Sequence, residues 1–278
     1  MPEKLEIIPT PRLLDEAERK ATRKLYQEAF PEDTGRFVDF YYQYKIRDNE
    51  ILAVEEDGRF VSMIHLNPYR MIVNGYETPG NYIVAVATAK EYRRRGYMRA
   101  LLEEALRKMG REKMPFTFLM PASERIYTPF DFVWICPFTE LPPRVERMDA
   151  DGQNRYLAQR YQVFCKRDAR YMENLLAERE AEQGESSAGP IPPFMARITN
   201  VEQMLRLTSS MEERELYVKV KDETVSENDG CFYWKSGPEK SEAVRLPERP
   251  EHVDLELTVG ELTSMVFQSF RICLSEAV

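Results

Sequence analysis

Apolar residues in the first half of the chain switch between helical and alternating spacing. LEII (residues 5–8) reads as a strand. From Leu13 to Phe30 the apolar positions Leu14, Ala17, Ala21, Leu25 and Ala29 share one helical face, and Pro31 ends the run. A short helix is expected over Phe37–Tyr44. ILAVEE and FVSMIHL then flank Asp57-Gly58, and YRMIV precedes Asn74-Gly75; both dipeptides close antiparallel hairpins. YIVAVAT (82–88) is the next strand. Met98, Leu101, Leu102, Ala105 and Met109 define a helix that stops at Gly110, followed by a strand in FTFLM (116–120), a short helix at Glu124–Tyr127 and a strand in FVWICPF. The order β-α-α-β-β-β-α-β-α-β predicts a mixed α+β fold, unlike a Rossmann or TIM pattern.

Further on, Leu157, Tyr161, Phe164, Tyr171, Leu175 and Leu176 suggest one connecting helix across Asn154–Glu182. EQGESSAGPIPP (182–193) has linker composition. MARITN, LYVKVKD and CFYWK read as strands, and HVDLELTVGELTSMVFQSF as a strand leading into a helix. The expected organisation is a domain at 1–148, a helical connector at 149–185 and a smaller α+β domain at 186–278.

At 278 residues, 43% hydrophobic and 31% charged, the chain can bury a substantial core. A net charge of -8 argues against general nucleic-acid or anionic-membrane binding and suits cationic small molecules. With no long apolar span and no signal-like start, a cytoplasmic protein is expected. Four scattered cysteines and two histidines, His65 and His252, make a protein-built metal site unexpected.

Against that acidic background, Arg93, Arg94, Arg95 and Arg99 crowd the junction of a strand and a helix, where the helix dipole already disfavours cations. A strand, then R-x-x-G, then a helix exposes backbone N–H groups; Gly96 allows close approach and arginines can clamp anionic oxygens. By themselves these features indicate an anion site, with a solvated basic turn as the bland alternative; the strand before, the apolar helix after and the element order favour a phosphate-bearing ligand.

AVATAKEYRRRGYMRALL resembles the acetyl-CoA pyrophosphate loop of GCN5-related N-acetyltransferases, [Q/R]-x-x-G-x-[G/A], with Arg93, Gly96 and Met98 at its defining positions. Met98 departs from the usual small residue, as in the enhanced-intracellular-survival (Eis-like) branch. MPASERIYTPFDF (120–132) is similar to that branch's S-E-x-x-I-Y-x-x-F-G-[FY], one residue shorter between Glu124 and Ile126 and with Asp131 in place of glycine. The final third is similar in element pattern to the sterol-carrier-like (SCP2-like) domain of such chains.

The resemblance implies an acetyltransferase (GNAT) fold with a splayed strand, an SCP2-like carboxyl-terminal domain that helps build the acceptor pocket, and acetyl-CoA as co-substrate with no metal. It implies that Val84, Ala85 and Val86 meet the pantetheine arm and thioester, that Arg93, Arg94, Arg95, Gly96, Tyr97, Met98 and Ser123 complete the cofactor site, and that Tyr127 is the general acid. The base would be the terminal carboxylate of Val278, with Glu124 as the side-chain alternative and His65, more often a core residue, as a third. The partner would be an amine acceptor, cationic or a lysine side chain. Nucleic acid and membrane are not expected partners, and a homo-oligomer is expected by resemblance alone. A non-catalytic acyl-CoA-binding or lipid-binding regulatory module is the competing class.

Overall fold

The computed structural model describes residues 10–182 and 191–276. The strand expected at 5–8 and most of the expected linker lie outside the described residues. The described residues fall into two compact units, the first within Met1–Asn67, Ile83–Ala105 and Glu173–Glu185, the second within Pro68–Tyr82, Leu106–Met172 and Ser186–Val278.

The first unit draws on β1 (Arg12–Leu13), α1 (Glu16–Arg19), α2 (Arg23–Ala29), α3 (Gly35–Gln43), β2 (Glu50–Glu56), β3 (Arg59–Val73), β4 (Tyr76–Thr88) and the start of α4 (Tyr97–Arg111), with strand order β1-β2-β3-β4. Asp15 caps α1 by accepting from the Glu18 N–H at 2.9 Å while Glu18 accepts from the Asp15 N–H at 3.0 Å, a reciprocal box that fixes where the first helix starts. One 3₁₀ turn over Lys20–Thr22 links α1 to α2, so the expected helical run is present with a tightened middle. Its inner face meets α3 in an aromatic cluster, with Tyr26 5.1 Å from Tyr41 and edge-on to Tyr42 at 5.7 Å.

Both predicted hairpin turns form. Asp57 and Gly58 take φ +51° and +74°, and Asn74 and Gly75 take +49° and +83°, the paired left-handed conformations whose twist matches antiparallel strands. The two expected strands between those turns are one strand, β3. Its last β2 partner is Leu66 and its first partner in the strand at Val163–Cys165 is Met71, so Pro68 falls where β3 changes neighbour.

The second unit adds β5 (Phe116–Leu119), α5 (Glu124–Tyr127), β6 (Val133–Cys136), α6 (Pro143–Glu146), α7 (Ala150–Ala158), β7 (Val163–Cys165), α8 (Ala169–Ala181, continuing into the first unit), β8 (Phe194–Ile198), α9 (Val201–Arg206), β9 (Arg214–Lys221), β10 (Gly230–Ser236), β11 (Ser241–Arg245), β12 (Leu255–Thr258), α10 (Val259–Gln268) and β13 (Ile272–Cys273). Here β8 lies between β5 and β6, antiparallel to both, with all five residues buried. β9–β12 form a separate four-stranded sheet in the order β11-β10-β9-β12. The single connecting helix expected across Asn154–Glu182 is instead α7, β7 and α8. Val163, Phe164 and Cys165 are consecutive buried residues paired on both sides, with β3 and with β13, and consecutive burial suits a strand better than one helical face.

Beside β7, Arg167 is sunk into the unit. It donates to the Glu276 carboxylate at 2.8 Å, the Ser275 hydroxyl at 2.7 Å and the Cys165 carbonyl at 2.7 Å, while Tyr171 donates to the same carboxylate at 2.8 Å. Both ion-pair side chains are 1% exposed. Removing one partner strands the other charge away from water. Glu276→Ala should therefore lower unfolding stability by about 3 kcal/mol; a denaturant midpoint shift worth less than about 1 kcal/mol would contradict a fully buried pair.

Candidate active site

The loop between β4 and α4 is shaped by its backbone. Along β4, Ile83 and Ala87 are buried and Val84, Ala85 and Val86 are half-buried. Ala85 takes φ +49°, a left-handed conformation inside a strand that costs roughly 1–2 kcal/mol and breaks the regular pleat there. Beyond this kink the Ser62 hydroxyl donates to the Ala87 carbonyl at 2.9 Å, and the Ala89 N–H donates to the Val61 carbonyl at 2.8 Å. These bonds fix the strand end from which the loop departs.

After a 3₁₀ turn at Lys90–Tyr92, Arg93 is extended, Arg94 has φ +65° and Gly96 has φ +87°. Gly96 is the residue that adopts such a conformation without a Cβ penalty, and the Ala100 N–H then closes the first turn of α4 on its carbonyl at 3.0 Å. Arg93 Nε donates to the Thr88 carbonyl at 3.0 Å, bracing the loop across its base. Arg95 lies over the Tyr92 ring at 5.3 Å, and Tyr92 meets Tyr97 edge-on at 5.9 Å. Tyr97 is buried, with its hydroxyl donating to the Glu56 carboxylate. Met98 is half-buried, whereas Arg93, Arg94 and Arg95 are exposed.

Left-handed residues interspersed in such a turn aim successive N–H groups toward one concavity, and the helix start adds partial positive charge. The first turn of α4 contains no acidic residue. Glu91 pairs with Arg59 at 2.5 Å and also feels the charge of Arg95. Chemically, such an arrangement can receive an anion.

Ser123, Glu124 and Tyr127 lie in the second unit. Ser123 is extended before α5, and its hydroxyl does not cap the helix. Glu124 accepts from the Trp134 indole N–H at 2.8 Å, an engagement that orients its carboxylate. Tyr127 is 7% exposed and packs edge-on against Phe132 at 5.8 Å. Burial pushes its pKa up to about 12, so the phenol is a proton donor at neutral pH. The next turn, Thr128–Phe130, ends at Asp131 with φ +61°. Val278 lies outside the described residues. Among the described residues there is no group of three or more His, Cys, Asp or Glu side chains that could hold a metal, and no helix long and apolar enough to cross a membrane.

Two contributors were not singled out from the sequence. Glu56, partner of Tyr97, stands 41 residues away and carries no local signal. Arg197 is fully buried in FMARI on β8. A lone guanidinium inside an apolar run is a legible sign of a buried partner.

Residues 10–135 match the family model described as an acetyltransferase (GNAT) domain. The chain carries a GNAT acetyltransferase domain. By that domain it is an N-acetyltransferase. Similar solved structures share the fold across nearly the whole chain. Eis1 from Mycobacterium abscessus aligns at a TM-score of 0.67 and 12% identity, covering 93% of this chain and 90% of that one. A conserved protein of unknown function from Enterococcus faecalis aligns at 0.66 and 14%, with the same coverage. A GCN5-related N-acetyltransferase from Anabaena variabilis aligns at 0.62 and 14%, covering 92% and 90%. No match is found among curated proteins.

Within the acetyltransferase domain, His65 is a core residue. Its Nδ1 lies 2.9 Å from the Tyr41 hydroxyl, which also accepts from Asn49 at 2.9 Å, while Nε2 is buried with no hydrogen-bond partner among the described residues. Burial pushes its pKa down to about 3. An unfolded histidine titrates near 6.5, so the unfolded state binds the extra proton first as pH falls. This contribution to stability is complete above about pH 6.5 and declines toward pH 3 at about 1.4 kcal/mol per pH unit. Imidazole NMR shifts should report a neutral ring from pH 8 to pH 5, and titration of His65 near pH 6.5 would refute this placement.

Proposed function

We propose that the protein transfers an acetyl group from acetyl-CoA to a primary amine, a cationic small molecule or a lysine side chain, by direct attack. The observation that carries this is the β4–α4 loop: left-handed Arg94 and Gly96, three exposed arginines and a 15-residue helix start without acidic residues suit a pyrophosphate. Val84, Ala85 and Val86, around the kink, would offer backbone groups to the pantetheine arm and thioester carbonyl. Tyr97 and Met98 would support the loop, and Ser123 would extend the cofactor contacts.

The neutral amine forms the new C–N bond as the C–S bond breaks, and the departing CoA thiolate takes its proton from the Tyr127 hydroxyl. Glu124 is the side-chain candidate for the base. The net charge of -8 favours a cationic acceptor. A cytoplasmic setting, where acetyl-CoA is available, fits this activity. We assign the four-stranded sheet and α10 to an SCP2-like domain at 186–278, with the acetyltransferase domain at 1–148 and a connector at 149–185. Engagement of Glu124 by Trp134 favours a second reading, an acyl-CoA-binding module without turnover.

Two measurements separate these readings. Calorimetric titration with acetyl-CoA should show binding that weakens by roughly 10- to 100-fold in Arg93→Ala/Arg95→Ala, the loss expected for one or two charge-assisted hydrogen bonds; equal affinity would remove the loop from the cofactor site. Tyr127→Phe should keep acetyl-CoA affinity and lose about 100-fold in kcat with an amine substrate. Acetyl-CoA binding without turnover by the parent toward a panel of polyamines, aminoglycosides and lysine peptides would favour the module.

A further inference from the structure

The turn that carries Tyr127 is held from behind by a buried cation. Arg197, 0% exposed in the middle strand of β5-β8-β6, donates from Nε to the Phe130 carbonyl at 2.7 Å and from Nη1 to the Ile198 carbonyl at 3.1 Å. Its Nη2 pairs with Asp222 at 2.7 Å. Asp222 is itself fixed: it accepts from the Thr224 and Val225 N–H groups, both at 2.9 Å, and from Asn228 Nδ2 at 3.0 Å. The guanidinium therefore has little freedom, and its Nε defines where the Phe130 carbonyl sits.

Phe130 follows Tyr127 by three residues and closes the same turn. The Phe132 N–H reaches back to the Tyr127 carbonyl at 3.4 Å, and the Asp131 N–H to the Thr128 carbonyl at 3.0 Å. A Cβ added to Gly260 in α10 would stand 3.0 Å from the Asp131 carboxylate and 3.4 Å from its carbonyl. Short α5 has only four residues, too few to hold a helix by itself, so tertiary supports set the direction of the Tyr127 ring.

We propose that Arg197 is a positioning residue for acetyl transfer: through the Phe130 carbonyl it aims the Tyr127 hydroxyl at the departing thiolate. This rests on Tyr127 being the general acid. Arg197 is 0% exposed, so it acts through the turn and not on the substrate, and a small misplacement of the acid is enough to slow proton delivery.

The test is a cycle of Arg197→Lys, Tyr127→Phe and the double variant, read as kcat, KM for acetyl-CoA and thermal midpoint. Lysine keeps a cation opposite Asp222 but lacks the planar fork that serves Asp222 and Phe130 together. Arg197→Lys should lower kcat by roughly 10- to 100-fold with KM for acetyl-CoA unchanged, and cause no further loss in the Tyr127→Phe background. Arg197→Met/Asp222→Asn, which leaves no unpaired charge behind, should show the same kcat loss if Arg197→Lys fails to fold. Unchanged kcat in the Arg197 variants, or an equal loss in both backgrounds, overturns the positioning role while Tyr127 remains the acid. Full turnover by Tyr127→Phe sinks the general-acid reading, and the proposal falls with it.

Discussion

The amino end of α4 sets the constraint on which the proposed cofactor loop depends. A helix start presents N–H groups and partial positive charge, ordinarily answered by a capping side chain or an acid in the first turn. Here the first turn has no acid, and three arginines precede it. The left-handed residues Arg94 and Gly96 hold the backbone in a concave turn, Arg93 braces it on the Thr88 carbonyl, and Tyr97 anchors the first helical residue to Glu56. Arg93 is held here by a neutral carbonyl and Tyr97 by a remote carboxylate, and Arg99 lies 3.6 Å from Glu103 one turn along the helix. An external anion is the natural complement, and that requirement links the kink at Ala85 to the chemistry of the domain.

Local rules made much of this legible. The hairpins at Asp57-Gly58 and Asn74-Gly75, the helix over Tyr97–Arg111 and the short helix Glu124–Tyr127 depend on neighbouring residues, and each is where spacing and turn chemistry put it. Long-range pairing was not legible. β8 reads simply as an apolar strand, and nothing within FMARI states that its neighbours are β5 and β6. The Val163–Cys165 strand was hidden because its buried residues could also be read at helical spacing, and only its partners on both sides decide the matter. His65 illustrates the converse. A histidine in an apolar strand could be a base or a core residue, and the choice depends on its burial and on the hydroxyl facing Nδ1.

Two buried ion pairs do a job in the second unit that apolar packing would do less selectively. Arg167 gathers Cys165, Ser275 and Glu276, so a segment near the end of the chain is fixed against β7. Arg197 gathers Phe130, Ile198 and Asp222, fixing the turn after Tyr127 against the loop after β9. Desolvating charges is costly, and replacing such pairs by apolar residues is often neutral or stabilising. Their contribution is therefore better sought in geometry than in net stability: each guanidinium accepts one arrangement of several carbonyls and carboxylates, where an aliphatic side chain would accept many.

The same logic accounts for Asp131, which stands where the resembling motif has glycine. The backbone there has φ +61°, a conformation that glycine adopts freely and that Asp and Asn tolerate better than most side chains. The motif position is thus explained by backbone shape rather than by small size. Tolerating a side chain has a structural counterpart nearby: α10 places Gly260 against Asp131, where an added Cβ would meet the carboxylate and the Asp131 backbone at 3.0 to 3.4 Å. The space given up on α10 is the space that the Asp131 side chain occupies. Burial raises the pKa of Asp131 while Arg197 opposes that shift, so its carboxylate belongs electrostatically to the network behind Tyr127. Aspartate in the turn and glycine on the facing helix are two halves of one packing arrangement.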